Sequence, residues 1–293
     1  MNSTRPTTAS SNPIGPIVVK VGGAMLDDPA CADPLIEALR RHHSGPGIVL
    51  VHGGGKAVDR QLSRLGMTSE RRDGIRVTPP EQMEQIAGVL AGVMNTALVG
   101  RLSARGVPAV GLTLSDGHTC IVELSKRYDF DPGRVGDIVG GDPNLIRHLL
   151  GGGFMPVLSS IGIDAQGSPL NINADDAAVA VARIVGASAL LLLTDVPGVR
   201  GPDGAIVDTL DTARAGAWIA DGTISGGMTV KVRSALAAVE AAGGEVGCVI
   251  IASWSDADAI RAILEGGHAG TRFVATRASA ATAAEGVGYA RHA

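Results

Sequence analysis

The stretches IVVKVGG, residues 17–23, and IVLVHGGG, residues 48–55, are apolar runs that end abruptly in glycine, with Lys20 at one junction and His52 at the other. Each reads as a strand running into a glycine turn that leads to a helix. Glycine leaves successive backbone N–H groups unhindered, and with the positive end of the following helix they form an anion site. Phosphate is the commonest occupant. Two such loops on consecutive parallel strands face each other at the carboxyl end of a sheet, where open α/β folds bind ligands. This places Lys20, Gly22 and Gly23 beside Gly53, Gly54 and Gly55. Glycine also serves any tight turn, so the pair carries more weight than either loop. Neither loop has Walker A or GxGxxG spacing.

Working outward, strand-like runs alternate with helical ones, the pattern of a mostly parallel sheet with helices on its faces. PIVVKV precedes helical ADPLIEALRRHH, and GIVLVHGGG precedes KAVDRQLSRLG. PPEQMEQIAGVLAGVMNTALVGRLSARG has paired prolines to start a helix and a glycine to stop it. AVGLTLSDG, TCIVELS and PVLSSIGID read as strands, some of them hairpins beside the parallel sheet. DDAAVAVARIVG, ALLLLTDV, VKVRSALAAVEAAGG and EVGCVIIAS then repeat the alternation. We expect two lobes, residues 16–185 and 186–276, between flexible tails at 1–15 and 277–293.

Composition narrows the function. At 293 residues and 45% hydrophobic content, the chain supports one large α/β domain or two coupled lobes. The three cysteines are scattered and no His cluster has metal-ligand spacing, so a reduced cytoplasmic protein without a bound metal is expected. No secretory signal or run of roughly 18 apolar residues is evident, so no membrane partner is expected. A net charge of −4 with only seven aromatic residues argues against nucleic acid. Arginines number 21 against four lysines, Lys20, Lys56, Lys126 and Lys231. A long cation at the end of an apolar strand, as at Lys20, calls for an anion.

Two later stretches add chemistry. LNINADDAA places Asn171, Asn173 and Asp175 at the start of a helix, where short polar side chains cap N–H groups or hold a ligand. Plain capping accounts for one of them. ISGGMTVKVRSAL repeats the glycine turn, with Lys231 a few residues into the next helix.

KVGG, VHGGGKAVD, DGIRVTPPEQM, VGLTLSDG, SSIGIDAQGSPLNINADDAA, LLLTDVPGV and GTISGGMTVKV occur in the order seen in the N-acetylglutamate kinases of the amino acid kinase family, which the chain resembles over residues 16 to about 276. The resemblance implies the amino acid kinase fold. It also implies transfer of the ATP γ-phosphoryl group to the side-chain carboxylate of N-acetyl-L-glutamate, the second step of arginine biosynthesis. Lys20 and Lys231 would then stabilise the moving phosphoryl group, with Asp175 orienting both. Gly54, Gly55, Arg76, Asn171 and Asn173 would hold acetylglutamate. Asp195, Val196, Pro197, Gly198, Val199 and Arg200, with Thr223, Ile224 and Ser225, would cradle ATP, whose phosphates Mg²⁺ would bridge.

Elementary chemistry agrees. A carboxylate is already a nucleophile at neutral pH, so the reaction needs positioning and positive charge and no general base. Arg76 suits a carboxylate because its planar fork bonds both oxygens. MNSTRPTTASSNPIGP shows none of the amphipathic helix that arginine-inhibited members carry, which implies an arginine-insensitive homodimer, although GRVGDIVGGDP resembles the sensitive group. Alternatives are a same-fold kinase for carrier-linked 2-aminoadipate, carbamate or aspartate, a ligand sensor without turnover, and a scaffold.

Overall fold

A computed structural model describes residues 15–22, 25, 32–42, 47–72, 74–242 and 246–274. Gly23, Cys31 and, apart from Gly15, both expected tails lie outside the described residues. In chain order the elements are β1 (Ile17–Val21), α1 (Asp33–His42), β2 (Ile48–His52), α2 (Gly55–Arg64), β3 (Arg71–Arg72), β4 (Ile75–Arg76) and α3 (Pro80–Ser103). There follow β5 (Ala109–Leu112), β6 (Ile121–Leu124), β7 (Val135–Gly140), α4 (Asn144–Gly151), β8 (Met155–Ser159), β9 (Ile161–Ile163), β10 (Pro169–Ile172) and α5 (Ala174–Val185). The chain continues through β11 (Ala189–Thr194), β12 (Thr209–Asp211), α6 (Thr212–Ala220), α7 (Gly226–Ala242), β13 (Val249–Ser253), α8 (Ala257–Leu264) and β14 (Thr271–Val274).

Eight strands form one sheet in the order β12-β14-β13-β11-β1-β2-β8-β5, parallel throughout except for the β13–β14 pair. Strand β1 lies at its centre, with Lys20 paired in register with Leu192 of β11 and Val51 of β2. The two apolar runs of the sequence are thus neighbours, and the amide of Gly53 donates to the carbonyl of Val21. The expected hairpins form a separate sheet, β6-β7-β10-β9, and β3–β4 is a short two-stranded ribbon.

Side chains alternate across a strand, so each apolar run feeds two cores. On one face Val18, Val49, Val51, Leu190 and Leu192 pack with the alanine-rich sides of α5 and α7. On the other, Val19, Val21, Leu50 and Leu191 meet α1, α8 and the end of α3. A third cluster joins α2 to the first part of α3.

Helix α3 is long and apolar enough, by length and composition, to cross a bilayer, contrary to the expectation that nothing in the chain would be. Its apolar residues do other work. Met83, Ile86, Leu90, Met94, Leu98 and Leu102 recur at three and four residue spacings and are buried in the fold. Residues 88–94 are wound as a π-helix.

Candidate active site

Parity along the two central strands decides what their polar ends do. Lys20 shares a face with Val18, on which α5 packs, whereas His52 shares the face of Ile48 and Leu50, toward α3. Lys20 accordingly reaches the first turn of α5, its Nζ 2.9 Å from Asp175 Oδ1. His52 is fully buried, with Nδ1 2.9 Å from the Gly53 carbonyl and Nε2 3.0 Å from Asn95 Nδ2. A neutral ring that donates from Nδ1 and accepts at Nε2 satisfies both contacts. Burial lowers the His52 pKa against the opposing hydrogen bond to Gly53, so the ring is a neutral strut under the glycine loop.

Two cavities open at the carboxyl ends of β1, β2, β11 and β13. The first, about 300 Å³, is lined by Lys20, Gly22, Asp175, Asp195, Lys231 and Trp254, among others. Lys231 does not share Asp175 with Lys20. It forms an ion pair with Asp195, which also accepts a 2.9 Å hydrogen bond from the Thr194 hydroxyl. These two donors, the Lys231 ammonium first, hold Asp195 below the ordinary carboxylate range.

The second cavity, about 130 Å³, is walled by Gly53, Gly54, Gly55, Arg71, Arg76, Asn171, Asn173 and neighbours. Gly53 is tightly placed, since a β-carbon there would stand 3.1 Å from that of Ala174. The Asn171 amide donates to Thr78 Oγ1 at 3.0 Å. Asn173 is the helix cap, its Oδ1 accepting from the amides of Asp175 and Asp176 at 2.8 and 3.3 Å. Asp175 is thereby set at a fixed point in the first turn. On the outer side Arg127 ties down the same turn through Asp176, and it also pairs with Asp137, each at 2.7 Å.

Arg76 is nearly buried. Its Nη1 donates to Asp59 and Ser69, and its Nη2 donates to the Gly55 carbonyl at 2.9 Å. Partial burial would raise the Asp59 pKa, but hydrogen bonds from Arg76 and Ser69 and the charges of Arg76 and Arg71 bring it down to about 2. Sequence reasoning missed Asp59, because an acid on an amphipathic helix reads as part of its solvent face. Its one signal was a position one turn after Gly55.

The model of the amino acid kinase family matches residues 15–252. The acetylglutamate kinase of Aeromonas hydrophila is 44% identical over 258 residues, covering 87% of this chain and 97% of that protein. That of Vibrio cholerae is 42% identical, covering 89% and 98%. The chain belongs to the amino acid kinase family, in its acetylglutamate kinase branch. Among solved structures, smu.665 from Streptococcus mutans is 28% identical with a TM-score of 0.70, covering 88% of this chain and 98% of that one. An N-acetylglutamate synthase from Neisseria gonorrhoeae, 24% identical, superposes at a TM-score of 0.76 over 90% of this chain and 60% of its own, which speaks to fold alone.

In this amino acid kinase Asp175 pairs with Lys20, whereas Lys231, for which Asp175 was also the expected partner, pairs with Asp195. The reason is topological: Asp195 follows β11 directly and meets Lys231 from the same half of the sheet. Lys20 and the glycine trio also open into different cavities, with Asn173 and Asp175 between them. Of the residues expected to cradle a nucleotide, Asp195 lines the first cavity. Val199 and Ile224 are instead buried in the core, and the Val199 amide donates to Thr271 Oγ1 at 2.8 Å. Gly198 is also enclosed, where a β-carbon would meet Ile206 and Thr271. Arg200 turns back to the Gly204 carbonyl at 2.7 Å, and the Thr223 amide donates to Asp221 at 2.9 Å. Val196, Pro197 and Ser225 sit in the connecting loops.

Proposed function

We propose that the paired cavities are the machinery with which this acetylglutamate kinase phosphorylates N-acetylglutamate in arginine biosynthesis. The acceptor lies among Gly53, Gly54, Gly55, Arg76 and Asn171, and ATP lies against Lys20, Asp195 and Lys231. The acceptor side-chain carboxylate attacks the γ-phosphorus, the bond to the bridging β,γ-oxygen breaks, and ADP leaves. Both residue sets meet beside Asp175. The carrying observation is that Lys20 and Lys231, from different halves of the sheet, line one cavity, each with its own carboxylate.

In a loose transition state negative charge spreads over the equatorial phosphoryl oxygens. A lysine reaching in from each half neutralises it where it develops. Asp175 keeps Lys20 extended across the junction of the cavities. Asp195 holds Lys231 ready, and the nucleotide phosphates draw it off. Mg²⁺ would accompany the ATP phosphates and neutralise part of their charge.

Residues 16–185 form the acceptor-binding and dimerisation lobe in this reading, and 186–276 the nucleotide lobe, where Asp195 is the member of 195–200 and 223–225 that lines the nucleotide cavity. The net charge of −4 and the few aromatic residues do not suit nucleic acid, and in this reading the enzyme works in the cytoplasm, away from membranes, as a homodimer. Helix α3 supports the dimer, since Gly88, Gly92, Val93, Thr96, Ala97 and Gly100 are all exposed on it. β-carbons added at those three glycines would meet nothing. Small residues permit the close approach that a twofold interface needs.

ADP release with MgATP and a panel of N-acetylglutamate, glutamate, aspartate, carbamate and 2-aminoadipate tests the reading. Turnover confined to N-acetylglutamate is expected. A folded protein that turns over a different acceptor, or none, would overturn it.

A further inference from the structure

The guanidinium that the sequence singles out for a carboxylate, Arg76, is already committed. Three of its five N–H groups are engaged by Asp59, Ser69 and the Gly55 carbonyl. Arg76 and Asp59 together carry no net charge, so the pair alone has little attraction for an anionic acceptor. The balance is tipped by Arg71. This residue is half exposed, and its Nη2 reaches Asp59 Oδ2 only at 3.4 Å. A β-carbon placed on Gly55 would stand 3.0 Å from Arg71 Nη2 and 3.7 Å from Arg76 Nη2, so both cations flank the space that this glycine leaves open. The adjacent Arg72 serves differently. Neighbouring strand residues face opposite ways, and Arg72 lies over the ring of Phe130 at 4.5 Å, away from the cavity wall.

The cavity also has a direction. Its Gly53 end abuts Ala174, next to Asp175 and Lys20, and its Gly55 end carries the two arginines. An acceptor with its reacting carboxylate toward Lys20 therefore presents any second carboxylate to Gly55.

We infer that Arg71 is an acceptor-binding residue which, with Arg76, grips the non-reacting α-carboxylate of N-acetylglutamate and selects for dicarboxylate acceptors. This rests on the reading that the glycine-walled cavity holds that acceptor. The Arg71, Arg76 and Asp59 group carries one net positive charge, the complement of one carboxylate.

The test is steady-state kinetics of Arg71→Gln and Arg71→Lys with N-acetyl-L-glutamate and with its α-carboxamide, which keeps the side-chain carboxylate. Charge-assisted hydrogen bonds are strong enough that Arg71→Gln should raise the KM for N-acetylglutamate on the order of 10- to 100-fold. The KM for ATP stays unchanged and kcat changes far less than KM. The wild-type preference for the acid over the amide shrinks by the same factor, and Arg71→Lys restores part of it. An unchanged acid-over-amide preference in Arg71→Gln overturns the inference. So does a loss confined to kcat or thermal stability, which marks a role in holding the β3–β4 ribbon alone. Wild-type protein that turns over N-acetylglutamate separates either result from failure of the parent reading; wild-type protein silent on that acceptor would remove both.

Discussion

At Asp59 burial and hydrogen bonding oppose each other, and hydrogen bonding wins, leaving a carboxylate with a pKa of about 2 against 3.8 when unperturbed. Its contribution to stability is therefore complete above about pH 3.8 and lost as pH falls through about 2. Denaturant titrations of wild type and Asp59→Asn should differ by a constant amount at neutral pH and converge below about pH 3; a constant difference down to pH 2 would exclude this pairing. The lysines are tested by turnover. Lys20→Ala and Lys231→Ala should keep the fold and lose on the order of 10²-fold or more in kcat. The separate ion pairs add a finer expectation, in that Asp175→Asn disables Lys20 and costs about 10-fold or more in kcat at near-normal KM for ATP. Single-turnover rates near those of wild type in folded Asp175→Asn would remove that role.

Among the elements, the strut from β2 to α3 has the clearest consequence. His52 joins the Gly53 carbonyl to Asn95, whose amide also donates to the Val157 carbonyl at 2.9 Å. His52→Ala leaves a cavity beneath the glycine loop and should cost about 2–4 kcal/mol, read by chemical denaturation. Because burial lowers the His52 pKa, wild-type stability should also fall as pH drops below 6.5, the unperturbed value, a component that His52→Gln lacks. Equal pH dependence of the two proteins would contradict a neutral strut. Helix α5 shows a related economy. Asn173 caps it, Asp175 leaves its first turn toward Lys20, and Asp176 is held by Arg127 on the outer side. Three polar residues in one turn thus take three separate duties, which is why capping alone does not account for the sequence.

For the molecule as a whole, the outward face of α3 is the test of assembly. Val93 is 66% exposed in a row of small residues, so Val93→Glu leaves the fold intact and sets like charges against each other across a twofold interface. Light scattering should show dimers for wild type and monomers for the variant; monomeric wild type would end the dimer reading. The length and apolar content of α3 alone would also fit a membrane span, and its buried stripe of Met83, Ile86, Leu90, Met94, Leu98 and Leu102 shows that its apolar side serves the fold.

Much of this architecture was legible from local pattern. Alternating apolar runs and glycine-ended strands are properties of consecutive residues, so β1, β2 and β11, their following loops and the position of Lys20 at a strand end could be read directly. The short strands β7, β10, β12 and β14 were not, because few apolar residues mark them and their neighbours in the sheet stabilise them. Pairing was beyond reach for a physical reason. Lys231 meets Asp195 across 36 residues and His52 meets Asn95 across 43. Parity places Lys20 and His52 on opposite faces of the sheet, but only the packed helices determine that one face offers a carboxylate and the other an amide. The commitment of Arg76 to Asp59, which leaves Arg71 as the freer cation at the cavity, is likewise a consequence of how α2 lies against the β3–β4 ribbon.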